Sequence, residues 1–113
     1  MPDFVIRKYQ RFEKLVPVRY LTDAFAGEGI IKDLSLRGSY MTGNRWVCVG
    51  MALTLQIFVP GDPVPLIIDR ATVKWVDDSE FGVSFDSPSP EVAERITTII
   101  STLAKRQHGS LRV

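Results

Sequence analysis

Apolar and polar residues alternate with a period of two along several short stretches of the chain. Val16, Val18 and Tyr20 alternate with Pro17, Arg19 and Leu21, and Leu53, Leu55, Ile57 and Val59 alternate with Thr54, Gln56 and Phe58. Val73 and Trp75 alternate with Thr72 and Lys74, and Phe81, Val83 and Phe85 with Gly82 and Ser84. Successive side chains of a strand point to opposite faces, so each stretch predicts a strand with one face for a core. Turn-forming clusters separate them: Ala26-Gly27-Glu28-Gly29, Thr42-Gly43-Asn44, Pro60-Gly61-Asp62-Pro63 and Asp77-Asp78-Ser79-Glu80. Short strands punctuated this regularly predict an antiparallel barrel or sandwich, with no linker to divide it.

The period changes after Phe85. Ser89 is placed to cap a helix, Pro90 to take its first position and Glu91 its first turn. Val92, Ile96, Ile99, Ile100 and Leu103 then recur at helical spacing, which predicts a helix over 89–107 with one apolar face to pack on the barrel or on a partner. Lys105 and Arg106 suit its C-terminal end, and Gly109 is a plausible stop. Glu91 and Glu94 dilute the positive charge that a membrane-surface helix carries.

Composition narrows the function classes. A chain of 113 residues holds one compact domain. It has no apolar run near the roughly 18 residues that span a bilayer, and its first residues lack a signal-peptide pattern, so a cytoplasmic protein is expected. Cys48 and His108 are the only cysteine and histidine, which supplies poorly both metal sites and nucleophilic pairs. Cys48, among Trp46, Val47 and Val49, reads as a buried thiol, and His108 as a solvated tail residue. No nucleophile, base and orienting group can be assembled, so an enzyme is not expected. A net charge of +1 argues against a general nucleic-acid binder. The charge is unevenly placed, however: Arg7, Lys8, Arg11, Lys14 and Arg19 stand against only Asp3 and Glu13. A basic arm on a nearly neutral domain suits a small anion.

One stretch carries candidate chemistry. In Ile31-Lys32-Asp33-Leu34-Ser35-Leu36-Arg37-Gly38, a strand through Leu36 would project Asp33 and Ser35 together while Leu34 and Leu36 face the core. Lys32 then falls awkwardly on the leucine side. Gly38 permits a positive φ or the close approach of a ligand or another backbone. D-x-S-x-x-G is commonplace alone, and so is R-x-x-x-R, here Arg7 to Arg11.

Together and in this order, the two motifs resemble the signature of the PilZ domain, the bacterial receptor module for cyclic di-GMP. The stretch from Ala71 to Phe85, with V-x-W turning back into G-V-x-F, is similar to that family's penultimate hairpin. The resemblance covers nearly the whole chain. It implies an all-β fold with one helix: a six-stranded antiparallel β-barrel over 15–86 and a C-terminal helix over 89–107, preceded by a ligand-binding arm at 1–14. It also implies the ligand set Arg7, Arg11, Asp33, Ser35 and Gly38, with no cofactor and no metal. Arginine's planar fork takes guanine O6 and N7 or phosphate oxygens, and its face stacks on a purine. Asp33 accepts from guanine N–H donors or holds an arginine, and Ser35 donates to a ligand oxygen. The arm, poorly anchored by apolar residues, is expected to be mobile and to close on the ligand.

Ile6 precedes R-x-x-x-R. The resemblance links a basic residue there to binding of two nucleotides, so Ile6 points to one per chain. Trp75 either lines the pocket or belongs to the core. Asp77, Asp78 and Glu80 read as a solvated turn. Two other functions stay open. One is an adaptor in pilus or flagellar machinery that acts only by protein contacts, although such members generally lack one motif and both are present here. The other is a small barrel binding single-stranded nucleic acid, for which Tyr9, Phe12 and Tyr40 are the candidate aromatics near the arm. With no output domain in 113 residues, a receptor is expected to signal through a protein partner or through self-association, in motility, adhesion or polysaccharide secretion by the family's habit.

Overall fold

The computed structural model describes residues 15–112, with side chains to Thr102. The proposed arm, with Arg7 and Arg11, and the side chains of Leu103 and His108 lie outside that range. Six strands follow in order: β1 (Val16–Leu21), β2 (Ala26–Leu34), β3 (Gly38–Thr42), β4 (Ala52–Ile57), β5 (Leu66–Asp77) and β6 (Glu80–Phe85). A helix, α1 (Pro90–Arg112), completes the chain. The strands pair antiparallel in the order β1-β2-β3-β6-β5-β4 and β4 closes back on β1, so the barrel has no free edge.

The alternation within β1, β4 and β6 is obeyed. Val16, Val18 and Tyr20, Leu53, Leu55 and Ile57, and Phe81, Val83 and Phe85 all point inward and are buried. Tyr20 is fully enclosed, its ring edge-on to Phe81 at 5.2 Å. Its hydroxyl donates to the Arg45 carbonyl and accepts from the Arg45 N–H, both at 2.8 Å, which ties the β3–β4 loop to the barrel.

The glycines beside Tyr20 correct one expectation. Ala26 to Gly29 is no turn but the start of β2. A Cβ at Gly27 or at Gly43 would meet the Tyr20 ring, and one at Gly29 would meet the Thr42 carbonyl. The glycines make room for close packing inside a sheet. The turn lies earlier, where the Thr22 hydroxyl accepts the N–H groups of Ala24 and Phe25 at 3.1 Å.

At the other end, Ser89 Oγ accepts the Val92 N–H at 3.2 Å and caps α1. Ile96 and Ile99 bury the helix's apolar face against the barrel. Arg95 donates to the carbonyls of Pro65 and Val64 and forms an ion pair with Asp62 at 2.8 Å, fastening the helix to the loop before β5. The helix does not stop at Gly109 but continues to Arg112.

Candidate functional site

Two β-bulges decide which residues reach the outer face. Between β2 and β3 the register runs Ile31↔Met41 and then Asp33↔Tyr40, so β2 spends two residues where β3 spends one. Between β5 and β6 it runs Val73↔Val83 and then Trp75↔Gly82. Such an extra residue reverses the inward and outward sense of everything after it. Unbroken alternation from buried Ile31 and Val73 would turn Asp33 and Trp75 inward; the bulges place them beside Tyr40 and Gly82 instead. Trp75 is therefore not a core residue and keeps 42% of its surface exposed. The bulge also accounts for Lys32, which is exposed rather than squeezed onto the leucine face.

The signature stretch departs from a simple strand. β2 ends at Leu34, which stays buried, and Leu36 is 48% exposed rather than in the core. Ser35 sits past the strand end, so it does not share a flat face with Asp33. Its hydroxyl donates to the Gly38 carbonyl at 3.1 Å and accepts the N–H groups of Arg37 and Gly38 at 3.3 and 3.2 Å. Ser35 thereby shapes the turn that carries Arg37. Gly38 is required by a close approach: a Cβ there would meet the Val83 carbonyl of β6.

Asp33 is 8% exposed, and burial pushes its carboxyl up to about 6, a shift partly offset by the Tyr40 backbone N–H. Below about pH 4 the carboxyl is protonated folded or unfolded. Between about pH 4 and 6 only the folded state retains the proton, so stability falls as pH rises, by about 3 kcal/mol in total. Asp33→Asn is expected to escape this loss, its stability relative to the native chain rising by about 2–3 kcal/mol between pH 4 and 6.5 in urea denaturation. Parallel pH profiles for the two proteins would contradict the burial of an ionisable group there.

Across the neighbouring strands, Tyr40 pairs with Gly82 and Gly82 with Trp75. A Cβ at Gly82 would meet the indole Nε1, so the glycine lets Trp75 lie down across β6. The Tyr40 and Trp75 rings are 5.3 Å apart and tilted by 46°. The Tyr40 hydroxyl donates to Glu80 Oε1 at 2.6 Å, and this bond is the largest cause of a Tyr40 pKa pushed up to about 12. Glu80 is thus no solvated turn residue, whereas Asp77 and Asp78 are exposed, Asp78 with a φ of 60° at the hairpin tip. The outer face of β2, β3, β6 and β5 carries one row of chemistry: a sequestered acid, a phenol bound to a second acid, and an exposed indole. Tyr40, Glu80 and Gly82 were not readable as parts of one site, because only the cross-strand register brings them together.

Elsewhere, Cys48 is exposed, contrary to expectation, because its loop runs outside the barrel. Among the described residues no three His, Cys, Asp or Glu side chains gather as a metal site, and no helix is long and apolar enough to cross a membrane. A shallow, open cleft of about 580 Å³ lies over β1 and the first half of β2, lined by Pro17, Arg19, Glu28, Asn44 and Phe58 among others. Among the described residues of the signature, Asp33, Ser35 and Gly38 do not border it.

The sequence profile of the PilZ domain matches residues 6–101. The chain belongs to the PilZ domain family. That match spans both motifs, from the residue before Arg7 to beyond the barrel. Among solved structures, the PilZ domain of CeSA from a cellulose-synthesizing bacterium superposes with a TM-score of 0.62 at 13% identity, over 80% of this chain and 93% of that one. The Bacillus subtilis inhibitor of motility MotI/DgrA superposes with a TM-score of 0.64 at 15% identity, over 91% of this chain. This PilZ chain spans about half of MotI/DgrA, 52% of its length. At such identities the likeness establishes the fold. No curated protein matches the sequence. PilZ domains are non-catalytic receptor or adaptor domains of a cyclic di-GMP-binding family, and the barrel with its C-terminal helix is theirs.

Proposed function

We propose that this PilZ domain is a non-enzymatic receptor that binds cyclic di-GMP on the outer face of β2, β3, β6 and β5 and passes the signal to a protein partner. The observation that carries this reading is the pair of bulges, which turns Asp33 of β2 and Trp75 of β5 onto one face. Around the Tyr40–Trp75 pair of that face stand the acids Asp33, Glu80 and Asp77, with Lys32 of β2 and Lys74 of β5 exposed on the neighbouring strand positions. The acids and rings suit the hydrogen-bond donors and flat faces of guanine. The two phosphodiesters need cations, and Arg7 and Arg11 of R-x-x-x-R supply them from residues 1–14.

Asp33 accepts from the guanine or steadies an arginine, the Ser35 turn and Gly38 hold the strand end open, and Trp75 stacks on a base. A base-on-aromatic stack contributes about 1–3 kcal/mol and each charge-assisted bond about 1.5–3 kcal/mol. The two structural relatives, a PilZ domain from a cellulose-synthesizing bacterium and an inhibitor of motility, suggest the kinds of process so regulated.

The test is calorimetric titration of cyclic di-GMP into the purified chain, with GTP and cyclic di-AMP as controls. Saturable heat with cyclic di-GMP at one nucleotide per chain is expected, given Ile6 before Arg7. Asp33→Ala is expected to weaken it about tenfold or more. No heat at several temperatures from a folded protein would reduce the signature to a relic and leave an adaptor that works by protein contacts alone.

A further inference from the structure

Glu80 stands on the candidate face with more acceptor capacity than its one described bond uses. Its Oε1 receives the Tyr40 hydroxyl, while a carboxylate offers about four lone-pair sites over two oxygens. Oε2 has no hydrogen-bond partner among the described residues. Tyr40 also touches the exposed Trp75 ring, 5.3 Å away, so the acid and the stacking surface are joined through one side chain. The phenol's pKa is raised to about 12 with Glu80 as its main cause, so the hydroxyl keeps its proton and stays the donor of this bond.

A purine stacked on Trp75 would present an edge towards this carboxylate. Guanine carries N1–H and N2–H side by side on that edge, two donors for a carboxylate's two oxygens. Adenine carries a lone pair at N1 in the same place, which a carboxylate repels. From this geometry we infer that Glu80, aimed by Tyr40, is the residue that selects guanine over adenine in the bound nucleotide. Glu80 makes the base contact and Tyr40 is its positioning residue. The inference rests on the cyclic di-GMP reading above and adds to it a specificity-determining acid outside the R-x-x-x-R and D-x-S-x-x-G motifs. Glu80, with Asp33 and Asp77 also near Tyr40, disfavours phosphate beside the phenol and leaves the phosphodiesters to cations elsewhere.

Calorimetry of the native chain, Glu80→Gln and Tyr40→Phe, each with cyclic di-GMP and cyclic di-AMP, tests it. Glu80→Gln keeps the shape and an acceptor for Tyr40 but loses the charge and the second acceptor. Its affinity for cyclic di-GMP is expected to fall about tenfold or more, with cyclic di-AMP binding unchanged or improved, so that the preference between them contracts. Tyr40→Phe leaves the carboxylate in place but unaimed, and a smaller contraction in the same direction is expected. Thermal melts of both variants confirm that each is folded. If Glu80→Gln leaves the preference unaltered, or weakens both nucleotides equally, Glu80 only anchors Tyr40 and the inference falls while the receptor reading stands. If the native chain binds no cyclic di-GMP, both fall.

Discussion

Tyr20→Ala is expected to cost about 3–5 kcal/mol, the range for truncating a large aromatic in a close-packed core. That would be a large part of the roughly 5–15 kcal/mol by which a small domain is stable. The ring is fully buried against Phe81, with Gly27 and Gly43 on either side having no side chain to fill the space left behind. The hydroxyl adds a separate contribution, because it satisfies both the N–H and the carbonyl of Arg45. Tyr20→Phe, which removes only those bonds, is expected to cost about 1–2 kcal/mol. Urea denaturation of the three proteins measures both. A Tyr20→Ala chain that loses less than Tyr20→Phe is expected to lose would show that the barrel centre is not packed as described.

Arg7→Ala and Arg11→Ala are each expected to weaken cyclic di-GMP binding about ten- to a hundredfold, and the double variant to abolish measurable binding. The ligand brings two negative charges to a face where Glu80, Asp33 and Asp77 lie close enough to Tyr40 to raise its pKa. Without the arginines, phosphate would approach these acids with two fewer cations to offset them. Arg→Lys at either position is expected to recover only part of the loss, since a point charge lacks the planar fork and the stacking face. Calorimetry beside thermal melts checks this, and double-variant affinity within threefold of native would remove R-x-x-x-R from the binding account.

The barrel was legible because most of its strands obey one rule. Leu53, Leu55 and Ile57, like Phe81, Val83 and Phe85, are buried on one face throughout, and their period is intact. The helix was legible from Ser89, Pro90 and the spacing of Ile96 and Ile99. The site was legible as a pair of motifs, not as a surface. Asp33 and Ser35 look like neighbours on one face only if the strand runs on through Leu36, whereas β2 ends at Leu34; Val73 and Trp75 look so only if β5 is regular, and a bulge interrupts it. A bulge depends on how two distant strands pair, which local alternation does not encode. The same limit hid Gly82 beneath Trp75 and joined Glu80 to Tyr40 from a segment that reads as a solvated turn. Cys48 was misplaced for another reason: apolar neighbours in sequence imply burial only inside an element, and it lies in a loop.

The outer face of β2, β3, β6 and β5 is the proposed ligand face. Amide and indole chemical shifts recorded while cyclic di-GMP is added to the labelled chain test it most directly. The largest changes are expected at Asp33 to Gly38, Tyr40, Gly82 and the Trp75 indole, with Val18, Arg19 and the Phe58 side of the barrel little affected. Saturable changes centred instead on the cleft over β1, or on the loop of Trp46 and Cys48, would contradict it.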